Sequence, residues 1–261
     1  MKKFIFYSLF SILALLFFNA NAQDVSLGVR GGISIPNLTG GGSSSENPLN
    51  TGYSSRLGLD AGVFAEFKIS GLFSLQPMLE YSAQGGKKDG LQAFPTPPQL
   101  APVFQAQEQT PPTYLYDNAN STAKINYLML PILAKFGWNF KSSPLRIYVD
   151  AGPFLGYLVS ATQVISNSGG YYLDPQGTEP LQFPGAPSNI NSSTDIKDQL
   201  HEFNFGIEGN VGLAYKFKKS SIFIEGGGNY GFLNIQKGTA NGKNNIGAGT
   251  ASVGYSFSLG K

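Results

Sequence analysis

Few residues in this chain can do chemistry, and most of them recur at alternate positions. Among 261 residues there is one histidine, His201, and no cysteine. Without cysteine there is no thiol nucleophile, thiolate metal site or disulfide framework. A histidine base needs a Ser, Asp or Glu partner placed to activate or orient it. His201 is followed by Glu202 and Phe203 and preceded at three residues by Asp198, which reads as a solvated polar residue at a loop edge. No H-E-x-x-H, phosphate loop or EF-hand pattern occurs, so no catalytic residue, metal or cofactor is expected. The other candidates are charges that share one side of apolar runs: Arg30, Asp60, Glu66, Lys68, Glu80, Lys135, Arg146, Asp150, Glu208, Lys216 and Glu225. With acids and bases nearly balanced, they suit a paired network, and a proton or ion path is the sharper alternative.

The elements carrying these charges have a period of two. In Leu57–Ile69 the odd positions are apolar and the even ones include Asp60, Glu66 and Lys68. The next run sets Phe73, Leu75, Leu79 and Tyr81 against Ser74, Gln76, Glu80 and Ser82. Side chains two apart lie on one face of a strand, so each run has an apolar and a polar face. Eight such runs occur, the others near 25–35, 125–136, 145–159, 203–217, 221–232 and 246–259. Alternation is poorest in the fourth, INYLMLPILAKF. Pro77, Pro131 and Pro153 fall inside runs, where the missing N–H breaks a ladder bond. They leave the register around them open, as does a last strand ending Phe257-Ser-Leu-Gly-Lys261.

Residues 1–22 read as a secretory signal peptide, with Lys2 and Lys3 before an apolar core and Ala20-Asn21-Ala22 as the cleavage site. The mature chain, 23–261, then has equal numbers of acidic and basic groups, which argues against nucleic acid as a partner. Charged residues are only 13% of the chain, against 33 Gly, 20 Phe and 13 Tyr. The links between runs alternate short and long. The long ones, about 36–56, 85–124, 160–200 and 236–245, fall on one side, as in membrane barrels with short periplasmic turns and long external loops.

Alternation alone also fits a soluble, lipocalin-like carrier with its apolar face inward. Residue size decides for the opposite sense. The polar faces carry Gly58, Gly62, Gly152, Gly206, Gly212, Ala214 and Ser252, and the apolar faces are bulky. An eight-stranded barrel has room inside for little more than side chains, so small residues suit its lumen and bulky ones suit lipid. Aromatics at the run ends read as two interfacial girdles: Phe67, Phe73, Trp138, Phe217 and Phe257 near the short turns, and Tyr81, Tyr127, Tyr157, Phe203 and Tyr230 near the long loops. The expected fold is all-β, an eight-stranded antiparallel up-and-down transmembrane barrel.

The stretches VSLGVRGGISIPNLTG, FSLQPMLEYSAQGGK, INYLMLPILAKF and YVDAGPFLGYLVS resemble the small outer-membrane β-barrels labelled PorT-like. The resemblance covers nearly the whole mature chain and implies the Gram-negative outer membrane, outer-membrane lipid as surroundings and an accessory role in protein secretion. Barrel deacylases carry His-x-Ser and barrel proteases Asp-x-His, and His201 matches neither, so a lipid-modifying enzyme is the alternative. The expected role is non-enzymatic. The lumen is plugged by small residues and by the charges Arg30, Asp60, Glu66, Glu80, Lys135, Arg146, Asp150, Glu208 and Glu225. The external loops, whose aromatics (Phe94, Phe104, Tyr114, Tyr116, Tyr171, Tyr172, Phe183) form a sticky patch or pack on each other, serve adhesion or docking to a protein or glycan partner.

Overall fold

A computed structural model describes residues 25–40, 49, 53–181, 191–238 and 242–260; the signal-peptide reading falls outside them. Ten strands are present: β1 (Val25–Gly40), β2 (Gly58–Lys68), β3 (Phe73–Lys88), β4 (Leu91–Pro95), β5 (Tyr114–Asn139), β6 (Leu145–Tyr172), β7 (Asn191–Asp195), β8 (Phe203–Lys216), β9 (Ser220–Gly231) and β10 (Asn244–Ser258). Every pairing is antiparallel, and the order β5-β3-β2-β1-β10-β9-β8-β6 closes on itself through β5–β6. That is an eight-stranded up-and-down barrel, with β4 and β7 lying outside the ring.

The two extra strands are interruptions of the eight expected. Lys88 faces Ser121 and Leu91 faces Asn118, so β4 continues β3 along β5 in unchanged register. Between them the chain kinks at Asp89-Gly90, with Gly90 at φ 94°, a conformation glycine adopts without a Cβ penalty. β7 likewise precedes β8 and lies along β6, opposite 162–166. Much of what the sequence suggested were loops 85–124 and 160–200 is therefore strand. β5 begins at Tyr114 rather than near Ile125, and β6 runs on to Tyr172. A tilted strand needs about 9–11 residues to cross the hydrocarbon. With 26 and 28 residues, β5 and β6 project well beyond it as an external sheet flanked by β4 and β7.

The prolines do not break the barrel. Beside Pro77 and Pro131 the ladder skips two residue pairs and resumes in the same register, Pro77↔Ile132 being followed by Glu80↔Met129 and Pro131↔Phe154 by Ala134↔Ala151, while the β6–β8 ladder runs through Pro153↔Ile207 without a gap. The paired residues on either side hold the strand where the N–H is missing. The last strand is fully engaged, from Ser26↔Ser258 to Gly40↔Asn244.

Burial settles the sense of the faces. Along β8, Phe203, Phe205, Ile207, Val211, Leu213 and Tyr215 are exposed, while Asn204, Gly206, Glu208, Asn210, Gly212 and Ala214 between them are buried. The same inversion runs round the ring, with Leu27, Val29, Ile33, Leu59, Val63, Ile132, Ile222, Ile224 and Val253 outside. A surface this apolar requires lipid, and the carrier reading, which needs the bulky face inside, is overturned. Trp138, Phe217 and Phe257 are exposed on the short-turn side and Tyr157, Phe203 and Tyr230 on the loop side. Tyr127 is the exception: it is fully buried and faces the lumen.

Candidate functional site

The lumen is filled in layers. Nearest the loops lies an apolar plug of Leu38, Ile125, Tyr127, Met129, Phe154, Leu158, Leu200, Ile235 and Ile246. A filling of charged and small residues alone was expected, and this plug corrects it. It also explains the weak alternation of the fourth run, because β5 is apolar on both faces.

Below the plug sits Arg30. Its two cross-strand neighbours are Gly62 and Gly254, so no side chain flanks it and the guanidinium can cross the lumen. Nη1 donates to Glu225 Oε1 at 2.6 Å, and Nη2 donates to Glu80 Oε2 at 2.8 Å and Glu208 Oε1 at 2.9 Å. Asp60 Oδ1 lies 3.6 Å from Nη2. One guanidinium thus serves four carboxylates on four different strands, using donors that a lysine could not present in the same fork. Neutral donors cover part of the remaining charge. Tyr148 donates its hydroxyl to Glu225 Oε2 at 2.8 Å, and Asn210 donates to Asp150 Oδ1 at 2.9 Å and Glu208 Oε1 at 3.1 Å. Asp60 Oδ2 accepts from Ser82 Oγ at 3.2 Å.

Glycines make this reach possible. Tyr148 and Glu225 stand on strands either side of Gly212, and the Tyr148 ring lies where a Cβ of Gly212 would be. Phe64 occupies the corresponding space over Gly28, and Phe223 over Gly254. These three rings surround the Lys135 ammonium, which lies 3.9 Å from the Tyr148 centroid, 5.8 Å from that of Phe223 and 5.9 Å from that of Phe64. Such a cage stabilises a desolvated cation. Lys135 also donates to Gln76 Oε1 at 2.9 Å and pairs with Glu66 at 3.4 Å, and Arg146 reaches Glu66 at 3.3 Å. This lower layer retains a cavity of about 20 Å³, lined in part by Glu66, Lys135, Arg146 and Lys216, room for roughly one water.

All nine charges singled out in the sequence therefore lie in the lumen, in two groups. Arg30, Asp60, Glu80, Asp150, Glu208 and Glu225 form the upper one, and Glu66, Lys135 and Arg146 the lower. Lys68 and Lys216 sit at the short-turn mouth and are more exposed. Tyr148, Asn210 and Gln76 were missed; they are uncharged, and only the cross-strand register brings them in. His201 lies outside the ring, exposed, its backbone N–H donating to Ile235 O at 2.8 Å. Among the described residues no cluster of His, Asp and Glu suited to a metal is found.

The sequence matches the model of a family described as outer membrane protein beta-barrel domain over residues 21–237. The chain belongs to this family. It is an outer-membrane β-barrel protein. Several solved outer-membrane proteins are similar to the chain at low identity. Neisserial surface protein A is 12% identical, with 89% of this chain and 96% of that one covered and a TM-score of 0.41. Ail, the attachment invasion locus protein of Yersinia pestis, is 8% identical over 90% and 100%, with a TM-score of 0.36. The N-terminal barrel domain of Pseudomonas aeruginosa OprF is 13% identical over 90% and 97%, with a TM-score of 0.30. No curated protein matches the sequence.

On the external side of this outer-membrane barrel, the aromatics pack inward. Phe94 stacks against Tyr171 with centroids 5.3 Å apart, and Phe104 and Tyr171 are buried. Tyr114, Tyr116 and Tyr172 are half-buried, and Phe183 lies outside the described residues. Beyond β6 the chain turns on Asp174, whose carboxylate accepts the N–H groups of Gln176, Thr178 and Glu179 and the Thr178 hydroxyl. Desolvation works upward on this group, but the donors from Glu179 and Thr178 outweigh it and hold it below the usual aspartate value of 3.8. A group with a depressed folded value stabilises the turn above its unfolded value and loses that contribution as pH falls through the folded one. Amide exchange in 173–181 is therefore expected to be slow at neutral pH and to quicken, relative to intrinsic rates, only below 3.8. Asp174→Ala should show the fast regime at every pH, and unchanged protection in that variant would refute this account of the turn.

Proposed function

We propose that this protein is a non-enzymatic outer-membrane barrel whose lumen is a structural plug and whose external sheet docks a protein or glycan at the cell surface. The observation carrying this reading is the projecting sheet. β5 and β6 continue as paired strands beyond the hydrocarbon, flanked by β4 and by the polar, exposed β7, NSSTD. Segments serving only to connect membrane strands have no need of such order. Among the described residues β4 and β7 each pair on one side only, and a strand edge of this kind accepts an added strand through backbone hydrogen bonds. The layered lumen supports the first half of the reading, since an apolar plug above paired charges leaves solute no wet path. The PorT-like resemblance adds one specific partner class, a component of a protein-secretion machinery.

The test is to replace residues 91–113 by a short Gly-Ser link and crosslink intact cells. The variant is expected to keep its outer-membrane recovery and boiling-dependent gel shift while losing its crosslinked partner. A shortened protein that retains the same partner, or a wild type that crosslinks to none, would overturn the docking role. Conductance by the wild type in planar bilayers would overturn the plug.

A further inference from the structure

The charges of the described residues are sorted by position. The short turns are Ile69–Leu72, Phe140–Pro144 and Phe217–Lys219, and Lys68, Lys141, Lys216, Lys218 and Lys219 stand on or beside them. The only carboxylate near that end, among the described residues, is Glu66. It is turned into the lumen, where it pairs with Lys135 and Arg146. The loop end, by contrast, mixes Arg56, Lys87, Lys88, Lys124, Lys197, Lys237 and Lys243 with Asp89, Glu108, Asp117, Asp174, Glu179, Asp195, Asp198 and Glu202. One rim of the barrel is thus basic and the other is nearly balanced.

Each basic turn also exposes a large apolar side chain. Ile69 and Leu72 stand next to Lys68, Phe140 next to Lys141, and Phe217 next to Lys218 and Lys219. Trp138 and Phe257 continue this apolar belt on the adjoining strands. A water-soluble polyanion would be matched by the lysines but would leave these apolar groups in water. A bilayer interface satisfies both, taking the aromatic and aliphatic groups at headgroup depth and the ammonium groups at the phosphates.

We propose that the short-turn rim binds anionic phospholipid headgroups of the periplasmic leaflet through Lys141, Lys218 and Lys219, with Lys68 and Lys216 adding charge at the barrel mouth. The proposal rests on the outer-membrane placement and not on the docking role of the loops. Basic residues at an anionic surface attract it independently and in a salt-dependent way. Each lysine removed is therefore expected to weaken headgroup retention about fivefold at low salt.

The purified barrel in neutral detergent, titrated with phosphatidylglycerol or phosphatidylcholine and read by native mass spectrometry, tests this. The wild type should retain phosphatidylglycerol selectively, and Lys141→Gln/Lys218→Gln/Lys219→Gln should lose that selectivity while still shifting on boiling. Lys124→Gln/Lys237→Gln/Lys243→Gln, at the loop end, should retain it. Equal retention of both lipids by the wild type, or equal loss in the two triple variants, would overturn the proposal. So would a rim that ignores phosphatidylglycerol but captures soluble peptidoglycan fragments, which would make the partner a polymer. Should the first triple variant fail to fold, the wild type alone decides: selectivity must fall as salt is raised from 50 to about 500 mM, where screening shortens to a few ångströms.

Discussion

Arg30→Met is expected to be the most damaging single substitution in the lumen. It leaves Glu80, Glu208, Glu225 and Asp60 around an apolar side chain, all buried and with their principal counter-charge gone. Removing one partner of a buried ion pair costs about 3–5 kcal/mol, because the other charge stays desolvated and uncompensated. Here three carboxylates within 2.9 Å lose a donor at once. In urea refolding into lipid vesicles the midpoint should fall steeply, or the boiling-dependent gel shift should vanish. Arg30→Lys should fail in the same direction, since a single ammonium cannot present the two-pronged fork that meets Glu225 on one nitrogen and Glu80 and Glu208 on the other. If the loss is electrostatic, neutralising the acids restores the fold. Arg30→Met combined with Glu80→Gln, Glu208→Gln and Glu225→Gln should recover most of the stability, because amides can satisfy one another where carboxylates repel. A single Arg30→Met variant that folds like the wild type would show that the network contributes nothing to the barrel.

The partners of Arg30 also mark where sequence reading stops. Strand direction and face follow from alternation, because one side chain in two must meet lipid and the other the lumen. That is enough to place Arg30 and the carboxylates inside. Their convergence is another matter: the bonded partners are 50, 178 and 195 residues away, and the arginine reaches them because Gly62 and Gly254 sit beside it in the closed ring. Closure is a property of register, and register is not written in any one run. Tyr127 shows the complementary limit. On β5 the inward residues Ile125, Tyr127, Met129 and Leu133 are as apolar as the outward Leu128, Leu130 and Ile132. The period fades there, and an aromatic near the strand end reads equally as girdle or as plug. The external parts of β5 and β6 were hidden for the opposite reason. In Asp117–Thr122 burial alternates, with Asp117 and Ala119 buried and Asn118 and Asn120 exposed, but polar residues stand on both faces, so strand and loop have the same appearance in the sequence.

The lipid-facing surface makes the second large prediction. Val211 is 55% exposed, midway along β8 between the aromatics Phe203 and Phe217, with its neighbours Asn210 and Gly212 turned inward. Placing a guanidinium there puts a charge at the hydrocarbon centre, where an outward arginine costs about 2–4 kcal/mol, whereas near the interfaces it costs about 0–1. Val211→Arg is therefore expected to lower folding stability in vesicles by that larger amount. Phe217→Arg, exposed at the basic rim immediately beyond the end of β8, should cost far less beyond its lost aromatic surface, and a Phe217→Leu control measures that loss. The gradient, rather than either value, is the decisive quantity. It exists only if the bulky face of β8 spans a bilayer from girdle to girdle. Equal penalties at the two depths would mean that Val211 does not lie in hydrocarbon. A steeper penalty at Phe217 than at Val211 would place the bilayer across the turns, and the lysines of that rim could then no longer sit at headgroup depth.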